Sequence, residues 1–74
     1  MEVKIGVRHA ARELVFDTSA TADEVEAALA DALSEEHGVL ALTDNRGRRV
    51  VVPGHGIAYL EIGSGVAGTV GFRG

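Results

Sequence analysis

Apolar and polar residues alternate at the start of the chain, a pattern that predicts a half-buried β-strand. Val3, Ile5 and Val7 are separated by single residues that are charged or small. Residues 8–11 are predicted to form a short connection. After it, Leu14 and Phe16 are apolar residues on one face of a second predicted strand. Residues 1–17 therefore predict an amino-terminal β-hairpin.

The apolar spacing then changes to that of a helix. Thr21 and Glu24 have the spacing of a capping box, in which the threonine hydroxyl accepts an amide of the first turn and the glutamate reaches back. Gly38 predicts where the helix stops. The apolar residues of this segment share one helical face: Val25, Ala28, Leu29, Ala32 and Leu33.

A turn-forming segment at residues 43–49 separates two further apolar runs. Asp44 and Asn45 followed by Gly47 suit a type I turn closed by a left-handed glycine, so the segment predicts a β-hairpin with strands over 39–43 and 48–52. The turn-rich residues 53–56 lead into another predicted strand over 57–62. Residues 63–74 predict a flexible tail or a short edge strand at 70–72.

The predicted order is therefore ββαββ, with one further strand optional, in a single α+β domain over residues 1–74. One helix packs on a mixed or antiparallel sheet. A β-grasp-like arrangement is the leading interpretation, and a curved antiparallel sheet crossed by the helix is the alternative. The predicted core consists of Val3, Ile5, Val7, Leu14, Phe16, Val25, Leu29, Leu33, Leu40, Leu42, Val50, Val52, Leu60 and Ile62.

Composition excludes several classes of chemistry. The chain has no cysteine, which excludes disulfides, thiol catalysis and thiolate metal sites. The apolar runs are too short to span a membrane, and the amino terminus lacks a secretory layout, so a cytoplasmic location is expected. No cofactor is expected either, because the chain contains no phosphate-binding loop with Gly-Lys-Ser or Gly-Lys-Thr.

The charges are unevenly distributed. The net charge is −4, and residues 21–36 contain six carboxylates and no positive residue. The densest positive cluster is Arg46, Arg48 and Arg49, in the predicted hairpin turn. An acidic chain is atypical of general nucleic-acid binders, so a nucleic acid is not the favoured partner. The acidic helix face is interpreted as solvated, although carboxylates are also ligands for Mg²⁺ or Ca²⁺.

Three hypotheses about function follow. The leading one is a non-enzymatic interaction or regulatory module that acts through protein contacts, because no catalytic constellation is visible. The second is a binder of a ligand or nucleic acid through Arg46, Arg48 and Arg49. In the third, His55 acts as a base or metal ligand between its two glycines, although a histidine in such a turn is more often a solvated loop residue.

Self-association is also predicted, because a chain this short buries a limited core. The strand over 57–62 has apolar residues on both faces, and a single helix cannot cover both. Ile57 and Tyr59 are the predicted contact residues, with Ala58, Leu60 and Ile62 facing inward.

Several segments together resemble a known family. They are residues 1–7, 22–26, 42–50, 52–53 and 57–63. Their order and spacing are similar to those of the small actinobacterial family catalogued as domain of unknown function 3107. The resemblance implies no established activity. Some members carry the label "ATP-binding", which adds nucleotide binding as an outside hypothesis. The glycines at 63, 65 and 68 match a dinucleotide fingerprint, but too few residues follow them for the helix that this fingerprint needs.

Overall fold

The computed structural model describes residues 1–63, which form one α-helix and five β-strands. The order of these elements is ββαβββ, and the α+β class is confirmed. The predicted strand at 70–72 lies outside the described residues. The elements are β1 (Glu2–Val7), β2 (Leu14–Asp17), α1 (Ala22–Leu33), β3 (Val39–Thr43), β4 (Arg49–Pro53), a 3₁₀ turn (Gly54–Gly56) and β5 (Ile57–Gly63).

The strands form two antiparallel sheets. One sheet has the order β2-β1-β5, and the other is the β3–β4 hairpin. The prediction of antiparallel pairing is confirmed, but the prediction of a single sheet is wrong, and the β-grasp-like arrangement is not confirmed. Within the first sheet, Val3 lies opposite both Phe16 and Ile62, which brings their side chains to one face of the sheet.

The helix begins with the predicted capping box. The Glu24 amide donates to the Thr21 hydroxyl at 3.1 Å, and the Glu24 carboxylate accepts from the Thr21 amide at 2.8 Å. The helix ends earlier than predicted, because Ser34 caps it: the Ser34 amide donates to the carbonyls of Ala30 and Asp31. The capping residues therefore fix both ends of α1.

Gly38 has a packing role rather than the predicted role of helix stop. A Cβ atom at Gly38 would overlap the backbone carbonyl of Ala32, and one at Gly54 would lie 3.0 Å from the same oxygen. The amide of Gly54 donates to the carbonyl of Gly38 at 2.9 Å. The two glycines thus let the last turns of α1 lie directly on the backbone beside β3 and β4.

The helix and both sheets bury one core. Two predicted core residues lie at its rim instead: Leu14 is 39% exposed and Leu33 is 45% exposed. Leu14 lies on β2, which among the described strands pairs only with β1. Leu33 follows the buried Ala32 by one residue, a rotation of about 100° around the helix. The buried apolar residues are Val3, Ile5, Phe16, Val25, Ala32, Leu40, Leu42 and Val52.

A register shift corrects the predicted orientation of β5. Gly6 lies opposite Tyr59 and Val7 lies opposite Ile57, so Ala58 is an extra residue without a partner. The alternation restarts there: Ile57 packs against the core and Ala58 is exposed, the reverse of the prediction. The predicted directions of three other residues are confirmed: Tyr59 (outward), Leu60 and Ile62 (inward).

Candidate functional site

The turn between β3 and β4 has the predicted geometry. Gly47 adopts a φ of +85°, a left-handed conformation that glycine reaches without steric cost. The Gly47 amide donates to the Asp44 carbonyl at 3.1 Å, and the Asp44 amide donates to the Arg48 carbonyl at 2.8 Å. These bonds close the turn and start the β3–β4 ladder.

A buried carboxylate holds the arginines of this turn in place. Asp44 Oδ1 accepts the amides of Arg46 and Arg48 at 2.9 and 2.8 Å, and its Oδ2 accepts Arg48 Nε at 2.8 Å. Burial raises the pKa of Asp44, but these hydrogen bonds and the charge of Arg48 outweigh it, so the pKa lies below the ordinary 3.8. Asp44 therefore stays ionised at neutral pH.

The three predicted arginines differ in their freedom. Arg48 pairs with Asp44, although its side chain is still 70% exposed. Arg46 and Arg49 are exposed, and within residues 1–63 the structure records no ion pair for either. Of these three arginines, Arg46 and Arg49 consequently have the guanidinium groups that are more available to bind a partner.

Two hydrogen bonds fix this hairpin to the end of β2. The Asn45 amide donates to the Asp17 carbonyl at 2.8 Å. The Thr18 hydroxyl, in a residue only 2% exposed, donates to the Thr43 carbonyl at 2.8 Å. The sequence pattern alone does not indicate this contact. The arginines are thereby held at a fixed position relative to the first sheet.

A shallow groove lies between β2 and the β3–β4 hairpin. One part of it has a volume of about 210 Å³ and combines apolar side chains with arginines. An adjoining part of about 300 Å³ continues past the turn and is lined by Asp17, Asp44, Asn45 and Arg46 as well. We call the two parts together the arginine groove. The residues that line its first part are Leu14, Val15, Phe16, Arg48, Arg49 and Val50.

His55 lies far from the arginine groove. It follows β4, whose length alone separates it from Arg49 by roughly 13 Å. Its Nε2 lies 3.1 Å from the Glu35 carbonyl, a contact that requires a proton on Nε2, and its own carbonyl accepts Arg8 Nη1 at 3.2 Å. The structure therefore does not combine His55 with the arginines in one site. It places the His55 ring against the loop that follows α1.

Tyr59 lies on the outer face of the first sheet, also away from the groove. Its ring covers Gly6, where a Cβ atom would overlap it, and its hydroxyl donates to the Glu13 carboxylate. This hydrogen bond raises the pKa of Tyr59 above 10.0, as do burial and the charges of Glu13 and Glu61. Tyr59 and Gly6 form a cross-strand aromatic–glycine pair, which stabilises the sheet.

Two further observations concern metals and membranes. Within residues 1–63, no three histidine, aspartate or glutamate side chains converge to hold a metal ion. No helix in this part of the chain is long and apolar enough to cross a membrane. Two of the three glycines of the dinucleotide-like spacing, Gly65 and Gly68, lie outside the described residues.

A comparison with protein families shows whether the chain belongs to the family that its sequence segments resemble. The family model described as "Protein of unknown function (DUF3107)" matches residues 1–73. The chain belongs to this family. No curated protein shows significant similarity to it. Because the family is described as of unknown function, membership assigns no activity to the arginine groove.

Proposed function

We propose that the chain is a non-enzymatic interaction module that binds a protein partner in the arginine groove. The observation that carries the proposal is the exposure of apolar side chains beside arginines. Leu14 and Val15 are 39% and 52% exposed, and Arg48 and Arg49 line the same groove. Protein interfaces combine an apolar centre with a polar rim and are enriched in arginine.

The polar groups around the groove favour binding over catalysis. Asp44 is ionised and already accepts three hydrogen bonds, so little capacity remains for it to act as a base on a substrate. His55, the base suggested by the sequence, lies beyond the other end of β4. An arginine side chain carries five N–H donors and no acceptor, so the arginines serve recognition rather than proton transfer.

Phosphate binding through the hairpin is the second candidate function. It is favoured by Arg46 and Arg49, which have no ion pair among residues 1–63. Asp17 and Asp44 line the same groove and weaken the positive field. Tyr59 lies on another face, where it cannot stack bases above the arginines. Nucleic acids and nucleotides are therefore less favoured as ligands than a protein. This includes ATP, which the label carried by some family members suggests.

We also propose that the chain self-associates through β5. A cytoplasmic location is proposed as well, independently of self-association. In the described part of the chain, β5 is an edge strand of its sheet, and Tyr59 is 45% exposed on its outer face. Because Ile57 packs against the core, the expected contact centres on Tyr59 and Ala58. Sedimentation equilibrium at micromolar concentration tests it: a monomer contradicts the proposal, and a dimer unaffected by Tyr59→Glu moves the contact elsewhere.

The principal proposal is tested by a charge reversal with a matched control. Arg49→Glu changes the groove, whereas Arg12→Glu makes the same change at an exposed residue that does not line it. A photo-crosslinking residue at Val15 recovers the partner, which is then purified, and its affinity for each full-length variant is measured. We expect Arg49→Glu to weaken binding about tenfold or more and Arg12→Glu to change it little.

Two outcomes would contradict this proposal. One is equal affinity of the purified partner for the two variants. The other is a salt-sensitive gel shift with short RNA or DNA that Arg49→Glu abolishes, because phosphate contacts weaken steeply with salt. The second outcome would transfer the function to phosphate binding.

A further inference from the structure

Backbone groups of β2 border the arginine groove, as well as side chains. Met1 and Thr18 exchange two hydrogen bonds, of 2.9 and 3.1 Å. Such pairs recur at every second residue of an antiparallel ladder, so Phe16 and Leu14 also bond to β1. The N–H and C=O of Val15 therefore point away from β1, towards the groove that Val15 lines.

Arg49, which lines the groove, lies on β4, and one edge of β4 has no partner strand among residues 1–63. The Arg48 carbonyl accepts the first bond of the β3–β4 ladder, so later bonds to β3 come from Val50 and Val52. The backbone groups of Arg49 and Val51 point away from β3. Within residues 1–63 no other strand pairs with this edge, so two N–H and two C=O groups are available there.

We propose that the arginine groove binds an extended peptide of alternating acidic and apolar residues, which adds as a strand to the free edge of β4. This inference rests on the proposed function and specifies the partner's chemistry. Strand addition is a recurrent mode of peptide recognition, in which main-chain hydrogen bonds supply affinity and alternate side chains supply specificity.

The two faces of β4 specify the alternation. Val50 lies on the core face, where it lines the groove together with Leu14. Arg49 and Val51 lie on the outer face. Side chains of a neighbouring strand alternate between the same two faces. Apolar residues of the peptide therefore contact Leu14 and Val50, and acidic residues lie beside Arg49, with Arg46 at the end of the groove.

Protection of the strand edge is the competing explanation for the same arginines. Charged residues and proline on an edge strand prevent its pairing with other chains, and β4 has both Arg49 and Pro53. The two explanations differ in one measurable respect. If the arginine only protects the edge of β4, strands of any charge are excluded. A recognition site instead prefers acidic strands over basic ones.

The test uses the full-length chain and two short synthetic peptides, one alternating Glu with Val and one alternating Lys with Val. Affinities are measured by isothermal titration. We expect the acidic peptide to bind about tenfold or more tightly than the basic one, and Arg49→Glu to reverse this preference. Absence of binding by the acidic peptide at millimolar concentration overturns the proposal, as does equal affinity for the two peptides.

N-methylated peptides separate strand addition from simple charge attraction. N-methylation of the Glu residues in one peptide, and of the Val residues in another, removes backbone donors but keeps the side chains. Strand addition predicts that at least one of them binds about tenfold or more weakly than the unmethylated peptide. Unchanged affinity of both overturns strand addition.

These outcomes are distinguishable from a failure of the proposed function. If the purified partner requires Arg49 but the peptides fail, only strand addition is overturned. If the acidic peptide binds as expected but the partner contact is independent of Arg49, the proposed function fails instead. A dimer whose formation depends on Arg49, combined with no peptide binding, identifies a second copy as the occupant and overturns the inference.

Discussion

The two connections at the ends of the hairpins show two ways of fixing a turn. The β3–β4 turn is determined by its own residues: Gly47 supplies the left-handed position at φ +85°, and Asp44 binds the amides of Arg46 and Arg48. The β1–β2 connection also has a left-handed residue, at φ +65°, but that residue is His9. A side chain at such a φ is uncommon and costs conformational energy.

The β1–β2 connection has one local bond, from the Ala10 amide to the Val7 carbonyl at 3.1 Å, and its other bonds go to distant segments. The Arg8 amide donates to the Gly56 carbonyl at 2.8 Å, and the Arg8 guanidinium donates to the His55 carbonyl at 3.2 Å. Tyr59 adds its hydrogen bond to Glu13. The arginine turn therefore has most of its hydrogen bonds within the turn itself, whereas the β1–β2 connection has most of its bonds to the segment from 55 to 59.

Removal of the Asp44 carboxylate is the largest test of this difference. We expect Asp44→Ala to reduce the free energy of unfolding more than any other single change in either turn, because three hydrogen bonds lose their acceptor. Urea unfolding measures the effect. Asp44→Asn keeps one acceptor oxygen and should fall between the wild type and Asp44→Ala. Wild-type stability of Asp44→Ala would show that the turn is not held locally.

The same carboxylate gives an acid dependence with a definite sign. The pKa of Asp44 in the folded chain lies below the ordinary 3.8. Its contribution to stability is therefore fully present above the unfolded pKa and disappears as the pH falls through the folded pKa. Asp44→Asn should lose this dependence, so the difference in stability between wild type and variant should narrow below about pH 4.

Substitutions of the left-handed residues in the two turns should change the stability of the fold in opposite directions. Gly47→Ala forces a Cβ atom into the conformation at φ +85° and should cost about 1–2 kcal/mol of stability. His9→Gly relieves the strain at φ +65° but increases the entropy of the unfolded chain, so stability should rise by less than about 1 kcal/mol. Thermal unfolding compares them, and a loss in His9→Gly would contradict the strain at that position.

The smallest effect concerns the contact between Tyr59 and Glu13. The hydrogen bond to Glu13 raises the pKa of Tyr59, and its contribution to stability is present below the ordinary pKa and lost as the pH rises through the folded pKa. Glu13→Gln should move the pKa back towards 10. Absorbance titration reports it cleanly, since the chain has one tyrosine and no tryptophan. A pKa unchanged by Glu13→Gln would rule out the contact.

The locally determined features are those that the sequence predicts. The capping box of Thr21 and Glu24 and the left-handed Gly47 each depend on residues within a few positions of one another, so the pattern contains the whole determinant. The arginines were likewise located from the turn alone. The sequence predicts Asp44 as a turn residue, but its hydrogen bonds to the arginines were not predicted. Aspartate is common as the first residue of a turn because its side chain accepts such bonds from the backbone.

The remaining features depend on contacts between distant segments. The separation into two sheets follows from the pairing of β5 with β1, and the extra residue Ala58 reverses the expected direction of Ile57. Thr18 is buried because its hydroxyl reaches Thr43, a contact that no periodicity in the sequence encodes. That contact and the bond from the Asn45 amide to the Asp17 carbonyl hold the hairpin beside β2, where the groove lies.

Amide hydrogen exchange of the full-length chain, with and without the partner recovered by crosslinking, tests the arginine groove most directly. We predict slower exchange at Val15, Arg49 and Val51, whose N–H groups point away from β1 or β3, and unchanged exchange at Tyr59. Protection confined to β5 or α1, with no change at those three amides, would contradict it.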